Sequence, residues 1–181
     1  MMIEFERAKT KADFERIALL AKEIWEEHYA TILSLAQIRY MIENFQSTEA
    51  IEQQTKQGYE YFSILNGNAL AGYFAIAKKD DTALVYKMGL EPNQSPKSIF
   101  LSKLYIQKNH RHQGIGKAVI SHIKALANTS GIERIWLSVN KHNTNSLHAY
   151  KKLGFAIYRE DRVSIGAGYV MDDYFMQLVW G

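Results

Sequence analysis

Cysteine is absent from the 181 residues, which excludes disulfides, thiolate metal sites and a cysteine nucleophile. Proline occurs only twice while 47% of the residues are hydrophobic, so the composition is that of a globular chain and not a disordered one. No apolar run reaches the length a membrane-spanning helix needs. The opening MMIEFERAKTK also lacks the apolar stretch of a signal peptide. These absences set three expectations: one domain over residues 1–181, a cytoplasmic location, and no membrane partner. Acidic residues are missing too, but only locally. Between Pro92 and Ile132 there is none, while Lys97, Lys103, Lys108, Arg111, Lys117 and Lys124 all lie there. Up to Glu91 the chain has 10 Lys and Arg against 14 Asp and Glu, a net −4; the remainder has 12 against 5, a net +7. Such a field suits a polyanionic ligand. Nucleic acid is not expected, because no binding motif accompanies the charge.

The pattern of what is present alternates between two periods. IEFERA reads as a strand, and residues 10–29 follow at helical spacing with Thr10 and Asp13 as an N-terminal capping pair. Residues 34–45 repeat the helical signal behind Ser34 and Gln37. A more polar helix then runs to a stop at Gly58. YEYFSIL and LAGYFAIAKK flank Asn66-Gly67, a hairpin signature. Asp80 and Asp81 turn the chain into TALVYKMGL, and the loop EPNQSP leads to KSIFLSKLYI. A helix over 114–128, a strand IERIWLSVN, a short helix over 145–154 and two closing strands complete the chain. The order predicts a mixed α/β (α+β) fold, a mostly antiparallel sheet covered by helices.

At the corner after KLYI stands KNHRHQGIGK. A Walker A loop would need a glycine where Arg111 stands and a hydroxyl where Ala118 stands. A dinucleotide fingerprint would need a third glycine at Val119. What remains is Arg-x-x-Gly-x-Gly at Arg111, Gly114 and Gly116, after a strand and at the start of a helix. A helix N-terminus presents unpaired N–H groups and partial positive charge to an anion. Glycine there permits close approach and positive φ.

This arrangement resembles the GCN5-related N-acetyltransferase family, whose acetyl-CoA motif is [Q/R]-x-x-G-x-[G/A] at such a junction. NTNSLHAYKKLGF is similar to the family's next segment, N-x-x-A-x-x-x-Y-x-x-x-G-F, with Asn145, Ala149 and Tyr150 taken as the matching residues before Gly154-Phe155. The likeness is specific over about residues 98–155. EIWEEHY and MDDYFM further resemble a bacterial branch that contains polyamine acetyltransferases.

The resemblance implies a GNAT-like sheet with two central strands splayed for acetyl-CoA. It places the cofactor against Leu104, Tyr105 and Ile106 of one strand. The corner Arg111, His112, Gln113, Gly114, Ile115, Gly116 and Lys117 would hold the pyrophosphate, with Asn140, Asn145 and Lys152 contributing further contacts. Tyr150 matches the family's acid, which protonates the departing thiolate. The expected partners are acetyl-CoA, an amine acceptor and a second copy of the chain. Tyr29 and Glu26 are the candidates for the acceptor side, and Glu23, Glu26 and Glu27 on one helix favour a cationic amine. The base is open: Ser102 and Lys103 stand where many relatives place a glutamate, leaving a water chain, His28, Tyr29, Glu26 or Asp172. No metal is expected, since His110, His112, His142 and His148 show no H-E-x-x-H spacing. A non-catalytic acyl-CoA-binding module is the competing expectation.

Overall fold

In a computed structural model, residues 2–81 and 98–181 are described. They form seven strands and five α-helices, grouped into two compact units: residues 1–76 with 103–118, and residues 77–102 with 119–181. The expected strand TALVYKMGL and the loop EPNQSP lie outside the described residues.

The first unit opens with β1 (Ile3–Arg7) and α1 (Lys11–His28). The capping pair is reciprocal. The Thr10 side chain accepts from the Asp13 N–H, and the Asp13 carboxylate accepts from the Thr10 N–H at 2.9 Å. Phe14, Ile17, Leu20, Ala21, Ile24 and Trp25 recur three and four apart on α1 and are buried. α2 (Leu35–Met41) is capped by Ser34 but gives way to one π-helical turn, Ile42–Gln46, before Ser47 caps α3 (Thr48–Lys56). One helix over 34–45 was expected. The π turn replaces its second half, placing Gln46 inside the unit, where its side-chain oxygen accepts from the Tyr73 hydroxyl at 3.1 Å.

The hairpin forms as the Asn66-Gly67 pair predicts. β2 (Tyr59–Asn66) and β3 (Ala69–Lys78) flank a turn in which Gly67 has φ +61°. β1 pairs antiparallel with β2, and the strand order in this unit is β1-β2-β3-β4, where β4 spans Ile99–Ile106 and belongs to both units. Tyr61, Tyr73 and Ala75 meet the buried face of α1 and Ile51 of α3.

In the second unit the order is β4-β5-β7-β6. β4 and β5 (Arg134–Asn140) run parallel, pairing Ile99 with Ile135 and Phe100 with Trp136 at the N-terminal ends of both strands. Along its whole length β5 pairs antiparallel with β7 (Tyr169–Val179), which also pairs with β6 (Ala156–Gly166). α4 (Ile115–Asn128) leads into this unit and buries Val119, Ile120, Ile123 and Ala127; α5 (Thr144–Lys152) joins β5 to β6. No described helix is long and apolar enough to cross a membrane.

Candidate active site

Two local geometries hold the candidate residues, one in each unit. In the first, β4 ends at Ile106, a 3₁₀ turn over Lys108–His110 follows, and the chain reverses into α4. His112 has φ +62° and Gly114 has φ +79°. Two left-handed residues in three make the corner sharp. The first of them is not a glycine, a conformation that costs roughly 1–2 kcal/mol. A Cβ built on Gly114 would meet no atom within 4 Å. Its glycine character therefore answers to backbone conformation and to open space beside a helix N-terminus, not to crowding by the protein itself. Gly116 lies in the first turn of α4, beside the buried Ile115 that anchors it.

The loop's polar residues fasten it as well as facing outward. Arg111 donates from Nε to the Ile106 carbonyl at 3.0 Å, tying the loop to the end of β4. Gln113 accepts from Asn66 Nδ2 at 2.8 Å and donates to the Asn109 carbonyl at 3.0 Å, which holds the corner against the β2–β3 turn. His112 and Lys117 are exposed. Leu104, Tyr105 and Ile106 are half-buried, and the Tyr105 ring lies 5.3 Å from Tyr73 and 6.4 Å from Tyr29 between centroids.

Tyr29 is buried and stacks on Trp25 at 4.2 Å, so it belongs to this aromatic cluster. Glu26 is exposed and is not among the residues lining the open cavity of about 520 Å³ that sits between α1 and the chain after β4. That cavity is bounded by Glu23, Ile24, Glu27, Gln107, Lys108 and Asn109, with Glu27 paired to Lys108 at 3.6 Å. On the helix Glu26 and Glu27 flank Glu23 on opposite sides, and the cavity lies on the Glu27 side.

The same unit contains a buried cation. Lys103 is 7% exposed; its ammonium donates to Gln54 Oε1 at 2.7 Å and stands 5.2 Å above the Tyr61 ring. Loss of hydration pushes its pKa down to about 7. Strand alternation could have found it, because Lys103 shares a face of β4 with the buried Ile99 and Leu101.

In the second unit the end of β5 turns directly into α5. Asn140 is buried and its Oδ1 accepts the His142 N–H at 2.9 Å, bracing that turn. Asn143 is also buried and caps α5 by accepting the Ser146 N–H at 3.2 Å. Asn145 is exposed within the helix, and Lys152 is exposed at its end. Seven places before Tyr150, where the segment N-x-x-A-x-x-x-Y sets its asparagine, stands Asn143; the spacing itself could have shown this. Tyr150 is half-buried, edge-on to Phe155 at 5.5 Å.

Among the carboxylates, Asp172 binds Lys141 at 2.8 Å and is held below the ordinary carboxylate range. Its neighbour Asp173 is 7% exposed, and burial raises its carboxyl to about 6. Among the described residues no three His, Cys, Asp or Glu side chains gather as a metal site.

Comparison with known proteins gives this geometry its relatives. The sequence profile of the acetyltransferase (GNAT) family matches residues 18–155. Streptothricin acetyltransferase of Streptomyces lavendulae is 32% identical over 56 residues, covering 31% of this chain and only 30% of that protein's length. Spermidine N(1)-acetyltransferase of Thermoplasma acidophilum is 25% identical over 173 residues, 95% of this chain and 97% of that one. The PaiA N-acetyltransferase of Thermoplasma acidophilum, solved with coenzyme A, superposes with a TM-score of 0.74 over 99% of this chain and 100% of that one, at 21% identity. With a profile match across most of its length and a shared fold, the chain belongs to the acetyltransferase (GNAT) family.

Proposed function

We propose that this protein is an N-acetyltransferase that takes the acetyl group of acetyl-CoA and passes it to a primary amine, with small cationic amines such as polyamines preferred. The observation that carries the reading is the corner from Arg111 to Lys117, where a left-handed Gly114 opens a helix N-terminus onto free space. That surface fits a pyrophosphate: backbone N–H groups and partial positive charge meet it, and no atom lies within 4 Å of where a side chain on Gly114 would begin. Exposed Lys117 and His112 add donors around it.

Parallel pairing of β4 with β5 over Ile99 and Phe100 supports a pantetheine arm that takes up the later backbone of β4, from Leu104 to Ile106. The amine nitrogen adds to the thioester carbonyl carbon, the C–S bond breaks, and the sulfur leaves as a thiolate that takes a proton from the Tyr150 hydroxyl, while the nitrogen, in becoming an amide, gives up the proton that restores the phenol. General acid assistance of this kind contributes typically about 10²–10⁴-fold. The preference for a polyamine is supported by Glu23 and Glu27 on the cavity wall and by the nearly full-length likeness to a spermidine acetyltransferase.

Calorimetric titration with acetyl-CoA tests the cradle. The wild type should bind, and Gly114→Val should abolish binding while circular dichroism remains native, since a branched side chain would fill the open space and resist φ +79°. Unchanged affinity in the folded variant would remove the corner from the cofactor site.

A further inference from the structure

The reaction proposed above needs a proton acceptor, because an amine at neutral pH is an ammonium with no lone pair to offer. The strand positions where a glutamate was sought hold Ser102, whose hydroxyl has little proton affinity, and Lys103, whose buried amino group is spent on Gln54 Oε1. Asp172 is committed to Lys141 at 2.8 Å and lies 3.9 Å from Arg162. Its low proton affinity makes it a poor base.

Asp173 differs from it by one step along β7, and that step turns its side chain to the other face of the sheet. There it is nine-tenths buried, beside the Ser138 hydroxyl, which hydrogen-bonds its carboxyl. It stands directly across from Asn140, the last residue of β5 before the turn into the helix that carries Tyr150. Its Oδ1 has no hydrogen-bond partner among the described residues. A buried carboxylate oxygen without a donor is costly. The neighbouring segment, from Ser138 through Asn143, is braced by its pairing with β7, by the Lys141 N–H on the Asp172 carbonyl and by its own asparagine side chains.

We propose that Asp173 is the proton acceptor for the amine substrate, its Oδ1 taking one proton from the ammonium before the freed nitrogen attacks the thioester. The step balances as ammonium and carboxylate going to amine and carboxylic acid. This proposal rests on the acetyltransferase reading. Burial raises the carboxyl's proton affinity toward that of the amine and so reduces the uphill part of the transfer.

The charged groups facing Asp173 come from each neighbouring strand. Asp161 of β6 lies opposite it in register and is tied to Arg159 at 2.7 Å. Asp172, adjacent on β7, raises its proton affinity and Lys141, just beyond β5, lowers it. Neither outweighs burial, the largest cause.

The test is the pH profile of kcat/KM for thiol release from acetyl-CoA with spermidine, or with the fastest amine of a panel if spermidine is silent. Wild type should lose activity below about pH 6 as Asp173 protonates. Asp173→Asn should lose about 10²–10⁴-fold in kcat and lose that acid limb, with acetyl-CoA affinity held within a few-fold. Ser138→Ala, which leaves the carboxylate in place, should shift the limb to higher pH, because the lost hydrogen bond stabilised the ionised form. An Asp173→Asn variant with unchanged kcat, or one slowed equally at every pH with the limb retained, would overturn the proposal and leave the acetyltransferase reading standing. So would a limb that Ser138→Ala does not move. A wild type inactive with every amine would overturn both.

Discussion

Lys103 is the residue whose environment makes the most specific demand on solution behaviour. Its ammonium has exchanged water for one amide oxygen and the face of a tyrosine, and burial therefore favours the neutral amine. The folded state releases this proton at about 7, whereas an unfolded lysine keeps it to 10.5. Between those limits the unfolded chain binds more protons, so stability rises with pH through the window and levels off above it. The effect is on the order of 2–5 kcal/mol across the whole window. Denaturant titrations from pH 6.5 to 9.5 should show the rise in the wild type, and Lys103→Met should be more stable at the acid end and nearly flat by comparison. A wild type without this slope would mean that the ammonium is solvated. The burial of Lys103 was readable in the alternation of β4. The choice of Gln54 as its partner was not, since that contact joins residues 49 apart. Asp173 poses the same problem: alternation separates it from Asp172, but which carboxylate meets a lysine is decided by the strand that comes alongside.

At the scale of elements, local chemistry was legible wherever the signal and its consequence lie within one turn. Thr10 with Asp13, Ser34 with the Gln37 N–H, Asn66-Gly67 and the left-handed Gly58 all do what their side chains and conformations favour. The π turn at Ile42–Gln46 was hidden, because Ile42 and Phe45 continue the helical period and only the tertiary position of Gln46 departs from it. Gly72 is another element-level device that the sequence shows only as a glycine inside a strand. A Cβ there would press into the carbonyl oxygen of Tyr105 and lie 3.1 Å from the Ile106 Cα, so the close approach of β3 to β4 depends on its absence. The main chain of Tyr105 and Ile106 is also where the cofactor arm is expected to pair. Gly72→Ala should lower the unfolding free energy by about 1–3 kcal/mol, as overpacking does. Thermal and denaturant unfolding check this, and a variant as stable as the wild type would show that β3 has room to shift.

For the whole molecule the governing quantity is the division of charge. Residues up to Glu91 carry −4 and the remainder +7, a split visible in the sequence alone, and it matches the two ligands of the proposed reaction, a polyanionic cofactor and a cationic amine. The corner was equally legible, since Arg-x-x-Gly-x-Gly joins a strand to a helix at a fixed spacing. For the acceptor side the sequence offers Glu26 and Tyr29; Tyr29 stacks on Trp25, and which glutamates line a cavity, Glu23 and Glu27, depends on the chain that packs beside the helix. The measurement that bears most directly on this reading is thiol release from acetyl-CoA by the full chain, with spermidine, a neutral amine and an acidic peptide offered in turn at low and high salt. Release with spermidine should be fastest and should fall as salt screens the attraction, while the neutral amine is indifferent to salt and the acidic peptide is slowest. Acetyl-CoA that binds but releases no thiol with any of the three would contradict an acetyltransferase and leave a non-catalytic acyl-CoA-binding module in its place.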